Sequence, residues 1–180
     1  MRPRRPSEAP SQNPNPIDTA WRIHAAQTEW TGKVDAKASF AFALESAAIA
    51  TVVALSAKHR LFSALPGHTP WLYWSGLMLL VVGAGLAVMV VAPRLRGRKT
   101  KSESATNFIY FGHARNWKAI DLEASLRTTD MLPQLSRQIT AMAKISWKKH
   151  VRVQWSLWSA TLGGLLLVAC GLIASFWPTN

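Results

Sequence analysis

Residues 71–92 read WLYWSGLMLLVVGAGLAVMVVA, a run without a single charged side chain. A helix needs about 20 predominantly apolar residues to cross the hydrocarbon core of a bilayer, so this run predicts a transmembrane helix. Two further runs have similar character: residues 38–57, ASFAFALESAAIATVVALSA, and residues 155–177, WSLWSATLGGLLLVACGLIASFW. A soluble chain of 180 residues cannot cover three helices that are apolar on every face. The sequence therefore predicts an all-α membrane protein with three transmembrane helices.

The charged residues lie almost entirely outside these runs. The chain has 21 Lys and Arg against 9 Asp and Glu, giving a net charge of +12, yet only 17% of its residues are charged and 49% are apolar. A basic protein that binds nucleic acid usually carries more charge, and no known nucleic-acid module is recognisable, so we expect no nucleic-acid partner. A single cysteine, Cys170, excludes a disulfide framework, and the five histidines show no metal-ligand spacing. We therefore expect no metal site and no cofactor.

The distribution of positive residues predicts the orientation of the chain. Thirteen lie in residues 94–154, six precede the first apolar run, two lie in the loop between the first two runs, and none follows the third. Positive residues are retained on the cytoplasmic side of a membrane. We therefore expect the N-terminus and residues 94–154 in the cytoplasm, and the C-terminus outside.

The chain before the first run divides into a tail and a helix. Residues 1–17 are rich in proline and polar residues and are predicted to be disordered. They precede a membrane domain over residues 18–177. Asp18 or Thr19 is expected to cap a helix that runs toward Gly32.

The predicted cytoplasmic segment opens with RLRGRKTKS, residues 94–102. This basic stretch is sufficient as a stop-transfer signal, and it could also contact anionic lipid or steer an anionic ligand. Residues 107–117, NFIYFGHARNW, predict a loop or a short extended piece, and residues 119–130 a short helix. Asp130 and Pro133 then mark a helix start. Because neither proline nor glycine follows until Gly163, one helix is expected to run from about residue 131 through the third apolar run, with its cytoplasmic half forming a stalk.

The stalk is predicted to be two-faced, at about 100° per residue. One face is apolar and is formed by Leu132, Leu135, Ile139 and Met142. The opposite face is basic and is formed by Arg137, Lys144, Lys148 and Arg152. Lys148 and Arg152 are close enough to the third run to reach lipid phosphates, which makes membrane lipid a predicted partner.

Polar and small residues inside the apolar runs suggest where helices meet. Glu45 lies within the first run, where a carboxylate is costly and usually faces protein or water. Two interpretations stay open: a protonated acid hydrogen-bonded to a neighbouring helix, or a residue that lines an opening pore. Small residues four apart let helix backbones approach closely, and such pairs are Gly83 with Ala87, Ser159 with Gly163, and Ala160 with Gly164.

Motifs typical of catalysis are missing from the sequence. It contains no phosphate-binding loop of the Walker type, no dinucleotide-binding glycine turn, no nucleophile elbow and no obvious pair of catalytic carboxylates. His113 stands alone among aromatic and cationic residues, where it could act in hydrogen bonding and packing or as a base. We therefore expect that the protein is not an enzyme and has no catalytic residues.

Three segments in order around the apolar runs resemble one known family. They are VDAKAS at 34–39, NFIYFGH at 107–113 and DMLPQLSRQITAMAKISWKKHVRV at 130–153. Over roughly residues 20–177 the chain resembles the transmembrane effectors of bacterial Pycsar (pyrimidine cyclase) anti-phage systems.

The resemblance implies a role in abortive infection. A partner pyrimidine nucleotide cyclase would make cUMP or cCMP on infection. This chain, expected to be a multi-pass protein of the inner membrane and a homo-oligomer, would respond by impairing that membrane, so that the cell dies before phage are released. Two other functions stay open: a membrane effector that answers a different nucleotide signal, and a structural membrane scaffold without a ligand.

A cyclic pyrimidine mononucleotide presents one phosphate charge, a ribose hydroxyl and a flat base. Its site needs one or two cations, an amide or carboxylate, and an aromatic face for stacking. The cytoplasmic segment offers Asn107, Tyr110, Phe111, His113, Arg137 and Lys144. Asp35 and Lys37 lie at the same predicted boundary, where they could join the site or serve as an interfacial anchor and a helix-end pair.

Overall fold

The computed structural model describes residues 15–93, 103–104 and 106–176. Five helices have both ends within these residues: α1 (Pro16–Leu55), α2 (Thr69–Val91), α3 (Phe111–Ala114), α4 (Ala119–Thr128) and α5 (Leu132–Phe176). No strand occurs in these residues, which confirms the all-α prediction. Three of the helices, α1, α2 and α5, are long and apolar enough to cross a membrane. The predicted disordered tail up to residue 14 and the basic stretch at 94–102 lie outside the described residues.

Helix α1 begins earlier than predicted. Asn15, and not Asp18 or Thr19, accepts a hydrogen bond at its start, from the backbone N–H of Ile17 to Asn15 Oδ1 at 3.1 Å. Pro16 occupies the first helical position, where its missing N–H costs nothing. The helix that was expected to run toward Gly32 continues past it without a break, because α1 has 40 residues and ends at Leu55. Helical propensity on both sides outweighs one glycine.

Substitution of Gly32 with alanine is expected to stabilise α1. Gly32 is exposed, and a Cβ placed there would meet no described atom within 4 Å. Glycine in a helix interior is less favourable than alanine by about 0.5–1 kcal/mol. We expect Gly32→Ala to raise the unfolding temperature in detergent by roughly 1–4 °C, as measured by circular dichroism. A lower unfolding temperature would mean that α1 needs flexibility at this position.

Helix α5 matches the prediction closely. Asp130 Oδ1 accepts a hydrogen bond from the backbone N–H of Leu132 at 3.0 Å, and Pro133 lies in the first turn. The helix then runs unbroken for 45 residues to Phe176. At 1.5 Å per residue it is about 67 Å long, roughly twice the hydrocarbon thickness of a bilayer. Its first half therefore has the length of a stalk, as expected.

The chain divides into two compact units. The first unit comprises the described residues of Met1–Thr28 and Leu95–Ala143, and the second those of Glu29–Arg94 and Lys144–Asn180. The first unit contains the beginning of α1, the helices α3 and α4, and the beginning of α5. Its most buried apolar side chains include Leu135 and Phe108. Helix α4 confirms the predicted short helix, whereas Phe111–Ala114 forms a helical turn where a loop or extended piece was expected.

The second unit packs three helices side by side. Helices α1 and α5 run in the same direction in this unit, because Asp35 contacts Lys149 and Glu45 contacts Ser156. Helix α2 runs antiparallel to α1, since Val90 clusters with Val34 at one end and Tyr73 Oη lies 2.8 Å from Ser56 Oγ at the other. The outward faces keep large apolar side chains exposed, such as those of Phe40, Met78, Leu165 and Val168. Such faces suit contact with lipid acyl chains.

Helices α2 and α5 meet along a row of small residues with a spacing of seven. Gly83 faces Ser156, Gly76 faces Gly163, and the Cys170 thiol lies 3.6 Å from the Thr69 carbonyl. Each step moves seven residues backward on α2 and seven forward on α5. A spacing of seven keeps one seam facing the partner helix over several turns. The sequence predicted close helix approach at pairs of small residues four positions apart. Two members of those pairs, Gly83 and Gly163, belong to this seam. Gly164 does not, because a Cβ added there would meet no described atom within 4 Å.

Candidate functional site

Trp117 holds the aromatic segment of the first unit in place. Its indole N–H donates to the carbonyl of Ser104 at 2.6 Å and to the carbonyl of Asn107 at 3.2 Å. Its ring meets that of Phe108 edge to face, with 5.5 Å between centroids. One side chain therefore satisfies two backbone acceptors and packs on the buried Phe108, which fixes the path of the chain around Asn107 and Phe108.

Helix α5 fixes the same segment from a second direction. The buried Gln134 accepts a hydrogen bond from the backbone N–H of Phe108 to its Oε1 at 3.3 Å. Arg137, one turn further on, donates from Nη2 to Asn107 Oδ1 at 3.1 Å. The amide of Asn107 in turn donates to the carbonyl of Glu103 at 2.9 Å. Because a guanidinium has five N–H donors and Arg137 is exposed, this arrangement positions the cation and leaves donors for an anion.

A cluster of rings follows directly in the chain. Tyr110 lies against Phe111, with 4.5 Å between ring centroids, and meets His113 edge to face at 5.3 Å. Gly112 is buried beneath Tyr110, and a Cβ at this position would overlap the tyrosine ring. His113 Nε2 lies 3.4 Å from Glu103 Oε2, which orients the imidazole. Phe111 remains 67% exposed and so presents a free aromatic surface.

The structure brings part of the predicted site together. Asn107 contacts Arg137, and Tyr110 contacts both Phe111 and His113, all within the first unit. The remaining predicted residues belong to the second unit: Lys144, Asp35 and Lys37. Lys144 and Lys37 are exposed there. Five predicted residues thus lie in one unit, as two groups: the pair Asn107 and Arg137, and the ring cluster of Tyr110, Phe111 and His113.

Asp35 has a partner that the sequence did not reveal. Lys149 Nζ donates to both of its carboxylate oxygens, at 2.6 and 2.7 Å. Asp35 and Lys37 lie in the interior of α1, so they are not the helix-end pair considered above. Lys149 is 114 positions away in the sequence, and no periodicity in the stalk distinguishes it from its neighbour Lys148.

Glu45 is buried inside the second unit, where its Oε1 accepts a hydrogen bond from Ser156 Oγ at 2.8 Å. This contact joins α1 to α5 and corresponds to the hydrogen-bonded interpretation of the sequence. Ser156 did not stand out in the sequence, although it lies seven residues before Gly163. That spacing is the signal that could have found it.

Other features of the described chain stand apart from the candidate site. No cluster of three or more histidine, cysteine, aspartate or glutamate side chains suited to a metal ion occurs among the described residues. A mainly apolar cavity of about 630 Å³ lies in the second unit beside the start of α2, where Pro66, Trp71 and Ile173 help to line it. None of the predicted site residues lines this cavity.

Comparison with known proteins agrees with the resemblance drawn from the sequence. The family model of the Pycsar effector protein domain matches residues 19–176. This range contains every residue of the candidate site. Neither a curated protein nor a solved structure matches the chain.

Proposed function

Since the chain belongs to the Pycsar effector family, we propose that it answers a cyclic pyrimidine mononucleotide, cUMP or cCMP, by impairing the inner membrane. The family is one of anti-phage effectors, and its systems pair an effector with a cyclase. In this proposal the partner cyclase makes the nucleotide on infection. Damage to the membrane then kills the infected cell before phage are released.

The nucleotide is proposed to bind in the first unit at Asn107, Tyr110, Phe111, His113 and Arg137. Arg137 supplies the positive charge for the single phosphate, and the exposed Phe111 supplies a stacking surface for the base. Asn107 and His113 add hydrogen-bonding groups of the kind that ribose and pyrimidine need. A stacked base contributes about 1–3 kcal/mol, and a charge-assisted hydrogen bond about 1.5–3 kcal/mol.

The observation that carries the proposal is the continuity of α5. Arg137 lies in the first third of this helix, and the same unbroken helix supplies Ser156, Gly163 and Cys170 to the packed seam of the second unit. A ligand shifts a conformational equilibrium only by binding one state better than another. We propose that the nucleotide favours one arrangement of α5, and that its apolar half then repacks against α2.

The proposed role is binding followed by a change in membrane permeability, without catalysis. Three helices of one chain are too few to enclose an aqueous path, so several copies are proposed to assemble. Small residues on the helix faces would let copies pack closely, and Lys148 and Arg152 are proposed to contact lipid phosphates at the membrane interface.

Orientation follows from charge. With thirteen positive residues in 94–154, we place this segment and the N-terminus in the cytoplasm and the C-terminus outside. Alkaline phosphatase fused after residue 120 is expected to be inactive, and the same enzyme fused after residue 176 active. The reverse pattern would put the nucleotide site on the wrong side of the membrane for a cytoplasmic signal.

The proposal is tested with purified full-length protein in detergent and in dye-loaded liposomes. We expect cUMP or cCMP to bind by calorimetry and to release dye, while cAMP does neither. Arg137→Ala is expected to weaken nucleotide binding by roughly 10- to 100-fold, because it removes a charge-assisted contact to the phosphate. Arg127→Ala is the matched control, since Arg127 is an exposed arginine of the same unit that pairs with Glu123 at 2.7 Å.

Two outcomes would contradict the proposal in different ways. If neither pyrimidine nucleotide binds or releases dye, the ligand-gated function is wrong. If the nucleotide that acts on the wild type acts equally well on Arg137→Ala, the function stands but the phosphate is bound elsewhere.

A further inference from the structure

Glu45 occupies the point where all three helices of the second unit meet. Its side chain comes from α1, and its partner Ser156 comes from α5 and is fully buried. Gly83 of α2 completes the pocket, because a Cβ there would lie 3.1 Å from Glu45 Oε1 and 3.3 Å from its Cδ. The glycine therefore provides the space that the carboxyl group fills.

The carboxyl group lies deep within the apolar part of the unit. Asp35, which forms the ion pair with Lys149, lies ten residues before Glu45 on α1. The end of α1 at Leu55 lies ten residues after Glu45. At 1.5 Å per residue each distance is about 15 Å along the helix. Glu45 is thus near the middle of a layer about 30 Å thick, the thickness of a bilayer core.

The hydrogen bonding of this acid is incomplete. Oε1 has Ser156 as a donor, but Oε2 is buried and has no hydrogen-bond partner among the described residues. A serine or glutamine could join two helices with less desolvation than an acid. A half-satisfied acid is a poor structural link, because a buried polar atom without a partner costs about 1–3 kcal/mol.

Glu45 is also the only charged residue of the three apolar runs. The three apolar runs, residues 38–57, 71–92 and 155–177, contain no other acidic or basic residue. When the helices separate and water enters, no other side chain in these runs can place a fixed charge on the aqueous path. Rings of acidic side chains, one from each subunit, select cations in many channels.

We propose that Glu45 lines the opened membrane path and makes it selective for cations over anions. When the three helices are packed together, the carboxyl group of Glu45 lies between Ser156 and Gly83, away from water. In the open assembly its carboxylate faces the path and attracts K⁺ or Na⁺ while repelling Cl⁻. This inference rests on the proposed function, since it requires that the protein makes the membrane permeable.

The test measures ion selectivity in proteoliposomes that hold the full-length protein under a KCl gradient, with cUMP and cCMP as probes. We expect the wild type to prefer K⁺ over Cl⁻ several-fold. Glu45→Gln keeps the shape of the side chain and an acceptor for Ser156 but cannot ionise, so its preference is expected to fall to near unity. Glu45→Asp keeps the charge and is expected to retain the preference. Circular dichroism and size-exclusion chromatography verify that the variants fold as the wild type does.

The outcomes separate the proposed function from the role of Glu45. If wild-type vesicles stay sealed with both nucleotides, the proposed function fails and this inference falls with it. If they conduct, and Glu45→Gln selects K⁺ as strongly as the wild type, the inference alone is overturned. Dye and ions passing without any charge preference in the wild type would overturn it as well.

Discussion

Gly163→Ala is expected to lower the unfolding temperature of the detergent-solubilised protein by about 2–12 °C. A Cβ at this position would lie 2.7 Å from the carbonyl oxygen of Gly76 and 3.1 Å from the backbone nitrogen of Leu80. Both atoms belong to the backbone of α2, so relief requires the whole helix to move. Overpacking of this kind costs about 1–3 kcal/mol, and each kcal/mol corresponds to about 2–4 °C in a chain of this size.

The neighbouring glycine provides the control. Gly164 has no described atom within 4 Å of an added Cβ, and alanine is the better helix former. Gly164→Ala is therefore expected to leave the unfolding temperature unchanged or slightly raised. Equal losses in the two variants would mean that α2 and α5 do not meet at this seam.

The reciprocal contact allows a second check of the same seam. A Cβ at Gly76 would lie 2.9 Å from the Gly163 carbonyl, so both alanines enlarge one gap. Once the helices have moved apart for the first alanine, the second costs less. We expect the double variant to lose less stability than the two single variants combined.

The membrane helices could be predicted because their signal is local. Twenty apolar residues in sequence identify a span whatever its neighbours are. The unbroken course of α5 was likewise predictable from Asp130, Pro133 and the absence of a breaker before Gly163. Which residues face each other between two helices depends on how far one helix is shifted along the other, and this shift is not visible in the sequence. The search for small residues four apart therefore did not reveal that the contacts between α2 and α5 recur every seven residues.

The residues of the candidate site could be predicted from the sequence, but the contacts that hold them in place could not. Asn107, Tyr110, Phe111, His113 and Arg137 have side chains with the chemistry that a nucleotide needs, and the structure places them in one unit. Trp117 and Gln134, which hold the backbone of that site, carry no such chemical signal. Their role depends on hydrogen bonds to main-chain groups of another segment, and such contacts exist only after folding.

Trp117→Ala is expected to disorder the candidate site without removing any group proposed to touch the nucleotide. The change deletes a large partly buried ring and leaves the carbonyls of Ser104 and Asn107 without the indole donor. Loss of a fully buried tryptophan costs about 3–5 kcal/mol, so the partly buried Trp117 is expected to approach the lower end of that range. Hydrogen–deuterium exchange is expected to show much faster exchange at the amide of Phe108, and binding of cUMP or cCMP is expected to be lost.

One further variant separates the ring from its hydrogen bonds, and a second serves as a control. Trp117→Phe keeps an aromatic ring against Phe108 but removes the N–H, so we expect a smaller loss of about 1–2 kcal/mol and partial protection of that amide. Trp147→Ala removes a tryptophan that is 72% exposed in the second unit, and it is expected to leave the exchange at Phe108 unchanged. If Trp117→Ala keeps both the slow exchange at Phe108 and the binding of nucleotide, the contacts of Gln134 and Arg137 are enough to hold the chain at Asn107 and Phe108. The nucleotide site then does not depend on Trp117.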